Sequence, residues 1–564
     1  MKNRRSCCCL VVLLVVVLLA ALTALLLLWK LHCSRGHNLY SKAAVAADSK
    51  ECSEIGRDIL VAGGSAVDGA IAALLCTSLI NPQSMGIGGG SIFTIYDASK
   101  DRVTVINARE KAPQKLTAGT HTGCGPYPRP GPGTQWIAVP GELRGYKEAH
   151  RKFGKLPWKS LFEPSIKLAE RGFPIPNYLK SLVTYPFFCE KILNSTLRSL
   201  FYHSNGSLLT HVKYPQLAKT LRAIADEGPD IFYSGRIGQD LIADIQKQTV
   251  SNSDSILTFK DLNQYTASVM EPLSISLGNY MMYSPPQPSK GAVLSFILNV
   301  LKDFKFSAES MEGSQRMQTY HRIIEAFKFG NGQLTGMIGP KAQSHISDLL
   351  SDQLAKLTQQ RIDDKVHPLN YYTAEHQTPD KYATSHVSVI DRDGNAVSVT
   401  SSINHLFGSM IISKSTGIIL NNQLADFCGP NNTFPDIATV EGQNPPSSMS
   451  PSILISQDKT SMMVVGCSGG SMIVSATAQV IMNKLWFGLN MTDAIKKERL
   501  YVNSNNIVHL ENGFDKEVEE AMKGKRHQIG ETIQLQSNAQ GIFKDHGCIE
   551  AVSDTRKQGE SAGY

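Results

Sequence analysis

The chain carries no HExxH pattern, no paired CxxC and no Walker loop, so metal-dependent and nucleotide hydrolysis lack sequence support. It has no internal repeat, and its only low-complexity tract is one apolar run near the N-terminus. Eleven cysteines in 564 residues are too few for a disulfide-dense scaffold. No dense Lys/Arg tract follows Lys2, Arg4 and Arg5, so a net charge of +7 does not imply a nucleic-acid partner. Gly86-Ile87-Gly88-Gly89-Gly90 follows no clear strand and opens no helix, so it is not a dinucleotide fingerprint; close backbone packing is the expected use. Neither a metal nor an organic cofactor is expected. What the chain does have is 42% apolar and 19% charged residues, enough to bury a core and to exclude disordered or fibrous classes. Its length suits a few domains or one large enzyme.

Leu10 to Trp29 is a run of 20 residues broken only by Thr23. As a helix it spans about 30 Å, the thickness of a bilayer core. Lys2, Arg4 and Arg5 precede it, and only Lys30 and Arg35 follow closely, which favours a cytoplasmic N-terminus. A cleaved signal peptide has a shorter apolar region and a small-x-small site, and Leu28-Trp29-Lys30-Leu31-His32 is neither. A single-pass type II anchor in the plasma membrane, with an external C-terminal portion, is therefore expected. Cys7, Cys8 and Cys9 at the boundary suit palmitoylation and ordinary helical packing equally. Asn194, Asn205, Asn431 and Asn490 each head a glycosylation sequon, consistent with an external chain.

The spacing predicts a helix through Cys52 that ends at Gly63-Gly64. A second, through Cys76, starts at a capping-box-like Ser65-x-x-Asp68 and stops before Pro82. Two antiparallel helices joined by so short a turn bring Cys52 and Cys76 together, and a disulfide is expected there. No pairing of Cys124, Cys189, Cys428, Cys467 or Cys548 follows from spacing. Strands are expected at Ile92–Tyr96 and Val103–Ile106, then a helix-rich middle to about Gln360. Arg361 to Ala383 is polar, contains Pro368 and Pro379, and reads as an exposed linker. Beyond it the texture turns β-rich: His386–Ile390 and Ala396–Ser401 flank an Asp393-Gly394 hairpin signal. Ile411–Leu420, Ile453–Ile455 and Met462–Val465 add strands, and Ser475–Trp486 a helix.

Two constellations could carry chemistry. Gly466-Cys467-Ser468-Gly469-Gly470 matches G-x-S-x-G between a strand and a helix, the context of a nucleophile elbow with Ser468 attacking. Asp493 or Asp515, and His509, His527 or His546, follow in the order such a triad uses. A Gly-rich turn serving as an oxyanion donor gives the same sequence. The other candidate is Thr384, where the polar linker enters the first β-hairpin.

Around Thr384 the sequence resembles a known family. Thr384-Ser385-His386-Val387-Ser388-Val389, Asp393-Gly394-Asn395-Ala396-Val397-Ser398 and Ser402-Ile403-Asn404 look like the catalytic region of the gamma-glutamyltransferases (glutathione hydrolases). Asn107-Ala108-Arg109-Glu110, Val139-Pro140-Gly141-Glu142, Asn421-Asn422, Pro446-Ser447-Ser448-Met449-Ser450-Pro451 and Gly469-Gly470 also fit. So do Asn81 to Gly90 and the closing Ser561-Ala562-Gly563-Tyr564. Thr-Ser-His, where the main transpeptidase has Thr-Ala-His, leans toward the branch that also cleaves cysteinyl leukotriene conjugates. The resemblance implies a mixed α/β fold, the αββα sandwich of N-terminal-nucleophile hydrolases, behind one transmembrane helix. With the cytoplasmic tail 1–9, the anchor 10–29 and a stalk 30–43 read from the apolar run and its flanks, it implies a large chain 44–383 and a small chain 384–564. The two chains form a heterodimer after the precursor cuts itself between Ala383 and Thr384.

A threonine hydroxyl is a weak nucleophile and needs a base. Cleavage supplies one, the new α-amine of Thr384, whose ordinary pKa of about 7.7–8.0 lies near working pH. By resemblance, Gly469 and Gly470 donate N–H groups to the developing oxyanion and Ser402 orients the Thr384 amine. Arg109, with Ser447 and Ser448, takes the α-carboxylate of the gamma-glutamyl group, while Asp426, Asn404 and Gln423 take its α-amine. Ser402 stands where some relatives have Thr, Gln423 where some have Glu, and Cys189 where some have a cysteine pair. His386 and His405 are expected to be structural. The segment from Cys428 to Pro446, with Pro430, Pro435, Pro445 and Pro446, is expected to form a lid over the leaving side. The leading reading is a cell-surface hydrolase and transferase acting on glutathione and its S-conjugates. A serine hydrolase using Ser468, and an inactive type II glycoprotein of the same fold, are the alternatives.

Overall fold

The computed structural model describes residues 14–17, 38–114, 124, 133–248, 257–334, 337, 342–372, 383–428, 440–531 and 537–564. Residues 14–17 are helical. The rest of the expected anchor, residues 30–37 of the stalk, and Asn431 lie outside the described residues. Among the described residues, no helix is long and apolar enough to cross a membrane.

Two seven-stranded antiparallel sheets form the centre. One runs, in spatial order, Leu39–Tyr40, Cys548–Ser553, Asn538–Asp545, Ser461–Ser468, Ser452–Ser456, Tyr280–Ser284 and Leu273–Leu277. The other runs Ser561–Gly563, Ala44–Ala46, Ser385–Ile390, Ala396–Ser402, Gly90–Asp97, Arg102–Ala108 and Ser268–Met270. Strand alternation distributes the side chains over three cores. Val387, Val389, Val397 and Val399 point outward onto helices that include Ala66–Ile80. Met463, Val465 and Cys467 point outward from the other sheet onto Gly291–Lys302, Gly313–Gly332 and Ile473–Leu485. Ile390, Ala396, Val464, Ile542 and Ala551 meet between the sheets. Helix, sheet, sheet and helix thus stack as four layers.

The Ala66–Ile80 helix is buried on every side, and its capping box of Ser65 and Asp68 is present. It packs against Lys50–Val61, and Cys52 and Cys76 are disulfide-bonded with Cα atoms 5.2 Å apart. Cys124 and Cys428 form a second disulfide, 304 residues apart in sequence, which spacing alone gave no means of pairing. Cys548 is also disulfide-bonded, whereas Cys189 and Cys467 are free.

Three expectations need correction. Ile411–Leu420 is not a strand but a loop with one bridge, Ile412 to Ile419. Its turn satisfies itself with side chains instead of a ladder: the Asp244 carboxylate accepts from Ser413 Oγ and Ser415 N, both at 2.8 Å. The helix-rich middle also contains the three strands between Ser268 and Ser284, whose signal is the alternation in Leu273-Ser274-Ile275-Ser276-Leu277. Finally, the expected linker from Arg361 is not simply exposed, because Tyr372 is fully buried and donates to Glu325 Oε2 at 2.6 Å.

Tyr372 belongs to a buried polar cluster that joins three segments. His321, Glu325 and Lys328 lie along one face of the Gly313–Gly332 helix, and His527 meets them from beyond the Lys516–Gly524 helix. A carbonyl only accepts, so His321 Nε2–H donates to Asp363 O (2.7 Å) and His321 Nδ1 accepts from His527 Nε2–H (2.8 Å). His527 Nδ1 then accepts from Lys328 Nζ (3.0 Å), which also bonds Glu325 Oε1 at 2.9 Å. Ligand-type atoms of His321, Glu325 and His527 lie within 4.8 Å of one another. The Lys328 ammonium and the imidazole–imidazole bond already use the lone pairs a cation would need.

Both imidazoles are neutral in this network. Burial holds them below their ordinary value, His527 at about 2, and Lys328 and Lys525 add to the effect. Below about 6.5 the unfolded chain binds protons that the folded chain refuses, so stability falls with pH through that value and on toward the folded one. Thermal unfolding from about pH 8 to about pH 5 should show a flat Tm that declines below about pH 6.5. His527→Gln should make the decline shallower; a profile identical to that of the parent chain would contradict this origin.

Candidate active site

Thr384 is the residue before the Ser385–Ile390 strand and is 4% exposed. Its Oγ1 donates to the Ala383 carbonyl oxygen, a contact made across the Ala383–Thr384 peptide bond. Ser402, the last residue of the neighbouring strand, donates its hydroxyl to the same oxygen at 2.7 Å, and its Oγ lies 3.4 Å from Thr384 Oγ1. Ser402 is held in turn by Asn404, whose N–H donates to its Oγ at 2.9 Å. Asn404 has a φ of 76°, a left-handed conformation that costs most residues strain but that Asn tolerates. Its Nδ2 donates to Asn422 O at 3.0 Å. Gly89 is the floor of this corner: a Cβ there would meet Ser402 O at 2.2 Å, so Gly88 and Gly89 serve close packing as expected.

On the other side of Thr384, its carbonyl accepts from Lys557 Nζ at 2.6 Å. The same ammonium bonds Asp48 Oδ2 at 2.8 Å and Ser468 Oγ at 3.2 Å. Ser468 ends its strand, and Gly469 and Gly470 follow with φ of 120° and 60°, both left-handed, before the Ile473–Leu485 helix. The glycine turn therefore lies next to Thr384. Lys557 and Asp48 carry no signal in the sequence: a basic residue in Arg556-Lys557-Gln558 reads as surface, yet Lys557 is buried.

Arg109, at the end of the Arg102–Ala108 strand, is 2% exposed. Its Nη2 pairs with Asp426 Oδ2 at 2.5 Å and donates to Pro446 O at 3.2 Å, while Nε donates to Pro445 O at 3.2 Å. The sequence reading gave Arg109 and Asp426 separate substrate groups; here they neutralise each other. Glu110 lies below, its carboxylate 3.4 Å from Arg109 Nη1. Burial pushes Glu110 up to about 7 despite the guanidinium, and burial pushes Glu142 up to about 8. Glu142 accepts from Ser401 Oγ at 2.9 Å and so braces the strand that ends in Ser402. Gln423 is fully buried beside Glu110, and its side-chain amide is close enough to help hold the Glu110 carboxyl down. Ser447 N donates to Pro288 O at 2.9 Å, and Ser448 is partly exposed next to it.

The serine triad does not assemble. Asp493 lies in the first turn and Asp515 at the N-cap of surface helices; His546 pairs with the adjacent Asp545, His509 bonds Asn503, and His527 is in the buried cluster. The bond recorded for Ser468 Oγ is with Lys557. His386 is structural: it is fully buried, bonded to Thr400 Oγ1 (2.8 Å) and Ser388 Oγ (3.1 Å), and burial lowers it to about 3. His405 Nδ1 accepts from Asn422 Nδ2 at 3.1 Å. Asn194, Asn205 and Asn490 are exposed. Of the expected lid, Cys428 and residues 440–446 are described, and 429–439 are not.

Lys557→Met would leave the buried Asp48 carboxylate without its cation. Removing one partner of such a pair costs about 3–5 kcal/mol. Urea unfolding should show a loss of that order, and Asp48→Asn combined with Lys557→Met should lose less than the two single losses added. Strict additivity would mean that the two charges do not depend on each other.

Comparison with known proteins agrees with this arrangement. The gamma-glutamyltranspeptidase family pattern matches residues 52–564. The chain is 44% identical to the glutathione hydrolase 5 proenzyme of Mus musculus over 94% of each chain, and 43% identical to that of Homo sapiens with the same coverage. Its fold resembles the crystal structure of cephalosporin acylase from Bacillus halodurans, with a TM-score of 0.78, 24% identity, and 93% and 96% of the two chains covered. With a match that runs from residue 52 to 564 through the Arg109 pair, the Thr384 junction and the glycine turn, the chain belongs to the gamma-glutamyltranspeptidase family.

Proposed function

We propose that this chain is a self-processing gamma-glutamyl hydrolase and transferase that acts on glutathione and its S-conjugates, including the leukotriene conjugate. One observation carries the reading: the Thr384 hydroxyl lies against the Ala383 carbonyl, and the Ser402 hydroxyl donates to that same oxygen at 2.7 Å. In the precursor, Thr384 Oγ1 attacks the Ala383 carbonyl carbon while Ser402 stabilises the charge that grows on oxygen. The C–N bond breaks as the Thr384 nitrogen takes up the proton lost from Oγ1 and becomes an amine, and water then hydrolyses the resulting ester. The products are an Ala383 carboxylate and a Thr384 with a free α-amine. The large chain (44–383) and the small chain (384–564) then remain together as a heterodimer, joined by the Cys124–Cys428 disulfide.

In turnover the new amine takes the Thr384 hydroxyl proton, and Oγ1 attacks the γ-carbonyl of the donor. The leaving amine departs with a proton and leaves a gamma-glutamyl ester on Thr384. Water or an amino-acid amine resolves that ester. Gly469 and Gly470 are the oxyanion donors, Arg109 with Ser447 and Ser448 holds the α-carboxylate, and Asp426 with Gln423 and Asn404 holds the α-amine. The named relatives are hydrolases described as proenzymes, and Ser385 within Thr-Ser-His supports the leukotriene branch. Residues 1–9 form the cytoplasmic tail and the apolar run 10–29 the anchor; the stalk, expected at 30–43, ends sooner, because Leu39–Tyr40 is already a strand of the first sheet and Ala43 is buried. The catalytic part then lies outside the cell, with glycans on exposed sequons.

Thr384→Ala should abolish both the cut and turnover, because one hydroxyl serves both steps. The small chain of the parent protein should read Thr-Ser-His-Val on N-terminal sequencing, and any other start would falsify the assignment. Ser468→Ala should lower activity only about tenfold, the loss of the hydrogen bond that ties the glycine turn to Lys557, and complete loss in a correctly processed protein would revive the serine reading. Arg109→Lys keeps the charge but not the fork, and a charged hydrogen bond is worth about 1.5–3 kcal/mol, so KM should rise about tenfold to a hundredfold. An unchanged KM in the processed variant would remove Arg109 from carboxylate binding.

A further inference from the structure

We propose that Glu142 is a positioning residue that works as a neutral acid: uncharged, it holds the strand end that carries Ser402 and keeps standing negative charge away from Thr384. This rests on the gamma-glutamyl transfer reading above and adds to it the pH at which the support fails. Ser91, Ser401 and Ser385 are register partners across three neighbouring strands, so their side chains lie in one row on one face of the sheet. It is the outward face, because Phe93, Val399 and Val387, two residues along each strand, belong to the core that includes the Ala66–Ile80 helix. Ser402 and its partner Gly90 alternate to the opposite face. Glu142 opens the Glu142–Phe153 helix and is fixed there by its own N–H and that of Gly141, which donate to Gly89 O at 3.1 and 2.9 Å. Its carboxyl covers the serine row. Oε2 accepts from Ser401 Oγ at 2.9 Å, and the Ser91 and Tyr146 hydroxyls reach the same group. One side chain thus ties the end of the Ala396–Ser402 strand to the start of the Gly90–Asp97 strand. Ser385, directly after Thr384, is buried in the same row.

The surrounding groups decide the state of this carboxyl. Tyr146 on its own helix, and Tyr233 and Tyr265 from the segments behind it, are phenols that burial raises above their ordinary value. Glu110 is a second buried carboxyl. The Arg109 guanidinium lies beyond it, 3.4 Å from Glu110 and already paired with Asp426. Asp68, on the helix packed alongside, accepts from Lys155 N and Leu156 N past the far end of the Glu142–Phe153 helix. Burial therefore dominates at Glu142, ahead of the hydroxyls and the Glu110 charge, and pushes its carboxyl up to about 8. Glu110, nearer the guanidinium, is pushed only to about 7. It loses its proton first and then opposes a second ionisation next to it.

Neutrality is what the chemistry needs at this place. Attack by Thr384 puts negative charge on an oxygen within bonding reach of Oγ1, which is itself 3.4 Å from Ser402 Oγ. A carboxylate behind that strand end opposes the growing charge in a low-dielectric site, in the cut and in turnover alike. It also favours the protonated Thr384 α-amine, which cannot serve as a base. A neutral acid avoids both costs. It still accepts from Ser401 and has one O–H to donate into the row.

The test uses full-length processed protein and a gamma-glutamyl anilide without an added acceptor. It follows kcat from about pH 6 to about pH 10, because kcat reports the groups of the bound complex. In the parent protein kcat should rise as the Thr384 amine loses its proton and fall above about pH 8 as Glu142 ionises. Glu142→Gln keeps the shape, an acceptor and a donor, so it should keep the plateau and lose the alkaline fall. Glu142→Ala should lower kcat about tenfold at every pH, the loss of one buried hydrogen-bonded brace. Glu110→Gln removes the like charge that helps Glu142 keep its proton, so its fall should begin at lower pH. That shift decides the matter if Glu142→Gln does not fold. A fall that stays at the parent's pH in both glutamine variants would overturn the proposal while leaving the transfer reading intact. So would a Glu142→Gln plateau as low as that of Glu142→Ala. No turnover by the processed parent protein at any pH would overturn the reading on which the proposal rests.

Discussion

One buried ammonium fixes the geometry on which the site depends. Lys557 Nζ bonds the Thr384 carbonyl, the Asp48 carboxylate and the Ser468 hydroxyl, three groups from separate parts of the chain. Asp48 follows the Ala44–Ala46 strand, and Gln540 Nε2 donates to its other oxygen at 2.6 Å, so the pair is braced from both sheets. A desolvated lysine and carboxylate offset each other only if their remaining bonding capacity is filled. Here it is filled by the Thr384 carbonyl and by Ser468, the residue that leads into the glycine turn. The charge pair is therefore a ruler: any shift of the glycine turn relative to Thr384 costs a hydrogen bond to a buried charge. Catalysis by preorganised donors needs that rigidity, because donors that reorient during the reaction give back what they stabilise.

Much of this was legible in the sequence wherever the signal was local. The Ser65–Asp68 capping box, the short turn at Gly63-Gly64 and the Cys52–Cys76 pair depend on residues close in the chain, and the structure has them as expected. The hairpin around Asp393-Gly394 is likewise local, and the strands on either side pair in register, Ser388 with Ser398. Long-range events were not legible. The Cys124–Cys428 disulfide crosses 304 residues, and nothing in either neighbourhood names the other. Tyr372 looked like part of a polar linker because its partner, Glu325, lies on a distant helix. Ile411–Leu420 has strand-like composition, but Ser413, Ser415 and Asp244 give its backbone another way to be satisfied. The Ser468 motif was misleading for the same reason: its flanking glycines are explained by the turn, while the histidines that would complete a triad are engaged elsewhere.

If Arg109 and Asp426 receive a zwitterionic head group as proposed, their pairing keeps the site stable before one arrives. Each side chain is almost fully buried, and alone each would carry a large desolvation penalty. Paired, they satisfy each other, with the Pro445 and Pro446 carbonyls filling further guanidinium donors. A gamma-glutamyl head brings an α-carboxylate and an α-amine on the same carbon, a charge pair of the same kind. Binding then exchanges one internal ion pair for two intermolecular ones, with no net charge transferred into the low-dielectric pocket. A donor with only one of the two groups cannot make that exchange: it would separate Arg109 from Asp426 and leave one of them buried and unpaired. Glu110, raised to about 7 by burial, keeps the region from holding a third full negative charge at lower pH. The buried Gln423 amide beside Glu110 adds polar capacity without adding charge. Head-group selectivity thus follows from the cost of a half-made exchange, and it is independent of whatever the leaving side carries.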